Sequence, residues 1–238
     1  MRHATLMPRK FGKGEDGVED VLSFGSFPPL PSRISYGHAL MGFGRFFVRG
    51  ACGVTVHEKA LIMEADDMER VLRRIAIEIV ERNKGLMDVV LLGVQRRGVT
   101  LAHRLREIFR QTEKVRVPTG ELDVTLYRDD TAMLRDQPVL HSTSIPADLT
   151  GKRVVLVDDV LYTGRTARAA LDAIMDLGRP EMVQLVILID RGHRELPIQP
   201  DYIGKRIPTS RNESVDVQVT EIDGQDRVII SDRSDSNV

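Results

Sequence analysis

The sequence predicts an α/β protein with a doubly wound parallel sheet flanked by helices. Short runs rich in valine, leucine and isoleucine recur along the chain, and amphipathic helical patterns separate them. Each apolar run ends in a polar loop. Strands that are buried on both faces have such continuous apolar runs, and parallel strands need helical crossovers between them. Ligands of this fold class bind at the carboxyl ends of the strands.

The individual elements follow in order from Asp66. Either Asp66 or Asp67 can cap a helix that ends near residues 83–85. Its apolar face is formed by Met68, Leu72, Ile75 and Ile79. Strands are predicted at residues 88–94, 121–127, 153–159 and 183–190, and further helices at residues 99–111 and 165–177. The segments VDVQVTEID and RVIISD alternate in polarity, which predicts a small C-terminal antiparallel hairpin around Asp223 and Gly224.

The composition changes near Leu61. Residues 1–62 are rich in glycine and phenylalanine, contain the turn-forming PPLP and have no sustained periodicity. We expect a poorly ordered extension there, rather than a small accessory domain, and one functional domain at residues 63–238. Met63 opens the segment MEADDMERVLRR, and we hypothesise that translation begins at this methionine. The intact mass of the natively expressed protein tests this hypothesis.

Bulk properties exclude several classes of protein. The 238 residues are 42% hydrophobic and carry a formal net charge of -1, so binding to a polyanion requires local basic clusters. The single cysteine cannot form an internal disulfide, and no secretory signal pattern opens the chain. No apolar run approaches the roughly 18 residues of a membrane span. We therefore expect a cytoplasmic protein without a membrane partner.

Polar groups follow four of the predicted strands. The strand-end segments are GVQRRG (93–98), YRDD (127–130), DDVLYTGRT (158–166) and DRGHREL (190–196). Because the carboxyl ends of parallel strands meet at one edge of a sheet, we expect these four segments to lie close together. That edge is the predicted functional site.

The segment DDVLYTGRT combines an anion-binding turn with two carboxylates. Residues 162–166 form a tight turn that opens a helix, where backbone N–H groups and threonine hydroxyls can hold a phosphate. Asp158 and Asp159 would repel a bare polyphosphate, but they can accept hydrogen bonds from the vicinal hydroxyls of a ribose. A 5-phosphoribosyl group satisfies both halves. The alternative is a strand cap with a purely structural pair of aspartates. The lysine and serine or threonine of a P-loop are missing, and so is the glycine pattern of a dinucleotide-binding fingerprint.

The run VVLVDDVLYTGRT (154–166) resembles the phosphoribosyl pyrophosphate (PRPP) motif of type I phosphoribosyltransferases. NKG, GVQRRG, DVTLYRDD and VILIDRGHRELPIQPDYIGKRIPTS are similar to one branch of that family, from about Met63 to Ile230. Members of this branch are uracil phosphoribosyltransferases that also regulate the pyrimidine (pyr) operon. The resemblance implies the type I phosphoribosyltransferase fold and transfer of ribose 5-phosphate from PRPP to uracil, which yields UMP and diphosphate.

The resemblance also implies roles for individual residues. Asp158 and Asp159 would bind the ribose diol, and Arg96 and Arg97 the diphosphate. Arg128 belongs to a mobile loop that would close over PRPP, with residues 131–138 at its tip. The 5-phosphate would be held by Val160, Leu161, Tyr162, Thr163, Gly164, Arg165 and Thr166. The uracil or nucleotide would be approached by Asp190, Arg191 and His193. Mg²⁺ is expected as a cofactor, held mainly through PRPP and not by a metal site of the protein.

A second implied activity is binding of pyr leader mRNA, favoured by UMP or UTP. The RNA contacts would come from Arg73, Arg74, Arg82, Lys84, Arg194 and Lys205. Charge alone predicts only solvated basic faces here. Ile77 and Gln199 depart from the histidine and arginine usual in the family, so we expect altered RNA contacts. The sequence leaves open whether regulation acts through transcription attenuation or through translation. A purine phosphoribosyltransferase without RNA regulation is a further alternative. The family forms homodimers and larger homo-oligomers.

Overall fold

The computed structural model describes residues 56–125, 143–146 and 148–233. Its strands are β1 (Val56–Glu64), β2 (Val89–Val94), β3 (Thr119–Leu122), β4 (Arg153–Leu161), β5 (Met182–Asp190), β6 (Tyr202–Arg206), β7 (Glu213–Gln218) and β8 (Arg227–Arg233). Its helices are α1 (Ala65–Asn83), α2 (Arg97–Thr112), α3 (Arg165–Leu177) and the short α4 (Thr220–Asp223). No helix in these ranges is both long and apolar enough to cross a membrane.

The central sheet is parallel and has the order β3-β2-β4-β5-β6. Successive residues of β4 belong to different cores: Val155 and Val157 pack with α1 and α2, whereas Val154 and Leu156 pack with α3. Both faces of the sheet are thus covered, as the continuous apolar runs predict. The doubly wound α/β fold class is confirmed.

The strand order reverses beside β2. The chain passes from β2 to β3 on one side and then returns to place β4 on the other side. In doubly wound sheets such a reversal opens a crevice at the carboxyl ends of the two strands that flank it. This crevice lies between the loop after β2 and the last residues of β4.

Helix α1 has the predicted apolar face, since Met68, Leu72, Ile75 and Ile79 are all buried. The helix begins at Ala65, slightly earlier than expected. Glu64 and Asp67 form a reciprocal capping box, in which the Glu64 backbone N–H donates to Asp67 Oδ2 at 3.2 Å. Asp67 therefore caps α1 from inside its first turn.

Two parts of the parallel sheet differ from the prediction. Strand β3 covers residues 119–122, whereas the prediction was 121–127, of which residues 126 and 127 lie outside the described residues. Asp123 Oδ1 accepts hydrogen bonds from the backbone N–H (2.9 Å) and hydroxyl (2.6 Å) of Thr125. This local Asx turn ends the strand. Strand β6 was not predicted, since its sequence YIGKR has no continuous apolar run.

The C-terminal segments form part of a second, antiparallel sheet with the order β1-β8-β7. Strands β7 and β8 pair as predicted, but α4 replaces a tight hairpin turn and β1 adds a third strand. Residues 56–62 of β1 belong to the segment expected to be a poorly ordered extension. The expected boundary at residues 62 and 63 therefore cuts through a strand that pairs with β8.

Candidate active site

Asp158 and Asp159 lie in β4 at the crevice beside β2. Gly93 of β2 is paired with Val157 of β4, so the two aspartates follow where β2 is ending. Asp158 Oδ1 accepts the Asp159 backbone N–H at 3.0 Å, and Asp159 Oδ1 accepts the Val160 backbone N–H at 2.8 Å. These bonds hold the two carboxylates in place at the strand end.

Burial raises the pKa of the Asp159 carboxyl above its ordinary value of 3.8. The hydrogen bond from Val160 and the positive charge of Arg97 act against this shift but do not cancel it. Folding thus favours the neutral form of Asp159. An ionised carboxylate at this position therefore lowers the free energy of unfolding.

We expect Asp159→Asn to raise the free energy of unfolding at neutral pH by roughly 1 kcal/mol. The contribution of Asp159 to stability is greatest below pH 3.8 and falls as the pH rises through the raised pKa of the folded state. The advantage of the variant should therefore shrink as the pH is lowered toward 3.8. Urea unfolding across this pH range measures it, and a variant less stable than the parent at pH 7 would contradict the expectation.

The predicted phosphate turn lines a cavity of about 330 Å³, together with Glu195. Gly164 caps α3 with a φ of 94°, a left-handed conformation that other residues adopt at a cost. The backbone N–H groups of Glu195 and Leu196 donate to Thr163 O at 3.0 and 3.1 Å, which fixes the turn from the outside. The first N–H groups of α3 have no helical partner and can meet an anion.

Two members of the predicted phosphate set differ from the rest. The side chain of Leu161 is buried in the core, with 3% exposed, and that of Val160 packs against the opposite core. Both residues can contribute only backbone groups to the cavity. Glu195 places a carboxylate at its rim, where it accepts a hydrogen bond from Arg165 Nε at 2.9 Å.

The loop after β2 lines a second cavity, of about 350 Å³. The cavity is lined by Gln95, Arg96, Arg97, Asp159, Ile222 and Asp223. The peptide bond between Gln95 and Arg96 is cis. Arg96 is exposed, whereas the guanidinium of Arg97 donates two hydrogen bonds to Asp223. The structure therefore brings the predicted diphosphate arginines and one predicted ribose aspartate to the same cavity.

The residues after β5 are held by bonds within the protein. Asp190 accepts hydrogen bonds from Arg194 (2.7 Å) and from the Gly192 N–H (3.1 Å). Arg191 is buried, donates to the backbone oxygens of Ser210 and Glu213, and stacks 4.1 Å above the ring of Tyr162. This stacking connects the predicted base loop with the phosphate turn.

His193 completes the predicted base set. Its Nε2 lies 2.6 Å from Thr209 O, and its ring packs in a T-shaped arrangement with the Tyr162 ring, at a centroid distance of 5.8 Å. Asp190 and Arg191 also line an open cavity of about 250 Å³ with Arg206, Ile207 and Pro208. The three predicted residues are thus adjacent, and each side chain already has a partner.

Comparison with known proteins identifies the family. Residues 62–222 match the model of the phosphoribosyl transferase domain. The chain is 60% identical over 173 residues to the "Bifunctional protein PyrR" of Pelotomaculum thermopropionicum, covering 73% of this chain and 96% of that protein. It is 58% identical over 170 residues to the PyrR protein of Thermus aquaticus, covering 71% and 94%. The chain belongs to the PyrR family of phosphoribosyltransferases.

Solved structures outside the PyrR family have the same fold. A hypoxanthine phosphoribosyltransferase of Trypanosoma cruzi superposes with a TM-score of 0.57 at 16% identity, covering 74% of this chain and 98% of that one. A hypoxanthine-guanine phosphoribosyltransferase of Bacillus anthracis gives 0.53 at 20% identity, covering 64% and 86%. Identities this low support the type I phosphoribosyltransferase fold and say nothing of the base that is used.

The structure also adds residues that sequence reasoning did not place at the site of this PyrR family member. Gln95, Ile222 and Asp223 line the second cavity together with Arg96, Arg97 and Asp159. The proximity of Gln95 to the arginines was available from its place in GVQRRG. Nothing in the sequence placed Ile222 and Asp223 there, because they come from the connection between β7 and β8. The predicted loop residue Arg128, with residues 131–138, lies outside the described residues.

The predicted RNA residues fall into two groups. Five of them are exposed. Arg74, Arg82 and Lys205 lie where α1 contacts β6, whereas Arg73 lies on α1 and Lys84 directly follows it. Arg194 instead has only 15% of its side chain exposed and donates to Asp190 and to the backbone oxygens of Tyr162 and Ile198. An RNA contact by Arg194 would require these bonds to break, so this residue does not belong to the exposed basic surface.

Proposed function

We propose that the protein is a bifunctional pyr operon regulator and uracil phosphoribosyltransferase. One observation carries the transferase half: Asp158 and Asp159 lie at the strand-order reversal, between a phosphate turn and a diarginine loop. The PyrR proteins at 53 to 60% identity are described as bifunctional, which supports the combination of two activities.

Each part of the site has a role in this proposal. The carboxylates of Asp158 and Asp159 accept hydrogen bonds from the ribose diol, and backbone groups of residues 160–166 hold the 5-phosphate. Arg96 and Arg97 neutralise the diphosphate as it leaves, while uracil binds near Asp190, Arg191 and His193. The developing positive charge at the ribose is stabilised by these fixed groups, so no protein nucleophile is required. Arg128 would close over PRPP from its loop.

Mg²⁺ is the proposed cofactor. Asp158 and Asp159 are oxygen donors, which Mg²⁺ prefers, and they adjoin the cavity that would receive a diphosphate. Within the described ranges, no group of three or more histidine, cysteine, aspartate or glutamate side chains could hold a metal ion. We propose that Asp158 and Asp159 would help to hold a Mg²⁺ ion bound mainly by PRPP, and that the ion would supply positive charge to the diphosphate.

The base is tested by substrate comparison. With PRPP and Mg²⁺, uracil should yield UMP, while hypoxanthine and guanine should yield no nucleotide. The PyrR relatives favour uracil over the purine alternative. The pyrimidine assignment would be rejected if protein of normal thermal stability formed nucleotide from hypoxanthine or guanine but not from uracil.

The proposed RNA surface is formed by α1 and β6. Arg74 donates to the backbone oxygens of Ile203 and Gly204 at 2.8 and 2.9 Å, and Arg82 pairs with Asp201 at 2.7 Å. Arg82 also stacks 5.6 Å from the ring centre of Tyr202, and Lys205 donates to Ile62 O. These contacts orient three cations along one exposed edge, which is an arrangement suited to RNA phosphates.

We expect the double variant Arg82→Gln and Lys205→Gln to bind pyr leader RNA about tenfold more weakly at physiological salt and to show a shallower salt dependence. The transferase rate should not change, because neither side chain lines the proposed PRPP cavities. Fluorescence anisotropy with labelled RNA measures the effect. Arg110→Gln is the matched control, since Arg110 is an exposed, ion-paired arginine on α2. An equal loss in that control would remove the case for this surface.

Further expectations follow from family membership. We propose a cytoplasmic location, a homodimer or larger homo-oligomer, and UMP or UTP as the nucleotides that favour RNA binding. We also propose that most of residues 1–62 form an extension outside the functional domain, since the family model begins at residue 62. The pairing of β1 with β8 includes residues 56–62 in the folded domain.

A further inference from the structure

Helix α4 is fastened to α2 by two arginines. Arg97 and Arg104 are seven residues apart and so lie on the same side of α2, two turns from each other. Arg104 donates two hydrogen bonds to Glu221 and two to Asp226, at 2.5 to 2.9 Å. This second arginine anchors the connection between β7 and β8 independently of Arg97.

Arg97, by contrast, forms its ion pair inside the cavity proposed for the diphosphate. Its Nε and one terminal nitrogen donate to the two carboxylate oxygens of Asp223 at 3.1 and 2.9 Å, and Asp216 Oδ1 lies 3.5 Å away. Asp223 is itself fixed, because its Oδ2 accepts the Val219 backbone N–H at 2.9 Å. Both Arg97 and Asp223 line the cavity proposed for the diphosphate, whereas Arg104 does not.

A diphosphate in this cavity conflicts with the pair. Arginine binds a phosphate most strongly through two parallel N–H groups, and Asp223 already occupies one such edge of the Arg97 guanidinium. The negative charge of the Asp223 carboxylate would also repel the negatively charged oxygens of the diphosphate. Hydrogen bonds from Arg97 lower the pKa of Asp223, so this carboxylate is ionised at neutral pH and the conflict persists there.

We propose that Asp223 is a positioning residue that holds Arg97 in the PRPP-free protein and competes with the diphosphate of PRPP for its guanidinium. The inference rests on the proposed transferase function. When PRPP binds, Arg97 exchanges Asp223 for phosphate oxygens; when diphosphate leaves, Asp223 takes Arg97 back. The four hydrogen bonds of Arg104 keep α4 in place, which confines the exchange to Arg97.

The test is the affinity of Asp223→Asn for Mg²⁺–PRPP and for Mg²⁺–diphosphate, measured by calorimetry on the full chain. We expect binding of both ligands to tighten about tenfold, with a lower KM for PRPP and no increase in kcat, because product release is slowed. If Asp223 only stabilised the structure of the site, its replacement would weaken binding. Asp216→Asn should shift affinity in the same direction by a smaller factor, since Asp216 is farther from Arg97.

Glu221→Gln is the matched control. It removes one negative charge from the same helical turn, but Glu221 pairs with Arg104 and does not line the cavity. Its affinity for diphosphate should stay within twofold of the parent. In an Arg97→Gln background, the gain from Asp223→Asn should disappear.

Three outcomes would overturn the proposal: unchanged or weaker binding by folded Asp223→Asn, equal tightening in Glu221→Gln, or a gain that persists without Arg97. Thermal unfolding of each variant shows that the protein measured is folded. If the parent protein binds neither PRPP nor diphosphate, the proposed transferase function itself fails. If the parent binds and Asp223→Asn does not tighten, only the role of Asp223 is rejected.

Discussion

Replacing Asp158 and Asp159 together with asparagine is expected to lower kcat/KM for UMP formation by at least about 10³-fold. The two carboxylates can only accept hydrogen bonds from the ribose diol, whereas the asparagine amides present N–H groups to it. Loss of two negative charges would also remove the attraction for the Mg²⁺ that is proposed to be bound with PRPP. Initial rates at saturating uracil, with PRPP varied, measure the loss.

The fold of this double variant should survive. Asparagine has nearly the shape of aspartate, and burial already raises the pKa of Asp159, so a neutral side chain suits the position. Asp172→Asn is a control, because Asp172 is an exposed, ion-paired aspartate on α3. A double variant that keeps more than a tenth of the parent activity would exclude the proposed role of the pair.

Gly98→Ala is expected to be strongly damaging to both stability and the site. A Cβ on Gly98 would clash with Val157 O and lie 3.2 Å from Asp158 Cα, so the start of α2 would have to move away from β4. Overpacking against backbone costs about 1–3 kcal/mol, which for a domain of this size lowers Tm by roughly 2–12 °C. The same shift would separate the diarginine loop from the aspartates.

Thermal unfolding and PRPP binding together test this expectation. We expect Gly98→Ala to lose both stability and affinity for PRPP. Gly151→Ala is the comparison, because Gly151 has a positive φ of 70° but no atom within 4 Å of the position that an added methyl group would take. That variant should lose only about 1 kcal/mol of stability and no PRPP affinity. Normal PRPP affinity in Gly98→Ala would show that close packing on β4 does not position the loop.

The site was predictable where function depends on local sequence. A buried apolar run places Asp158 and Asp159 at a strand end, and Gly164 marks the turn that opens α3, so both follow from neighbouring residues. Helices α1, α2 and α3 were predictable for the same reason, since apolar spacing is a local property. Hydrophobic runs also sufficed for β2, β4 and β5.

Other features depend on tertiary contacts that no local pattern contains. Strand β6 carries two basic residues and a glycine, and it forms because β5 offers an open edge. Strand β1 is specified by its pairing with β8, far along the chain. Asp223 reaches the site through an arginine 126 residues away in sequence. Arg194 has the charge of an RNA-binding residue, and only its buried partners show that it is turned inward.

The most direct measurement is the affinity of the full chain for pyr leader RNA with and without UMP. If the site at Asp158 and Asp159 serves both activities, UMP should tighten binding to the leader stem–loop but not to a scrambled RNA. The Asp158→Asn, Asp159→Asn variant should bind RNA without responding to UMP. Equal affinity for both RNAs, or an affinity that UMP does not change in the parent protein, would contradict a regulator controlled by its own transferase site.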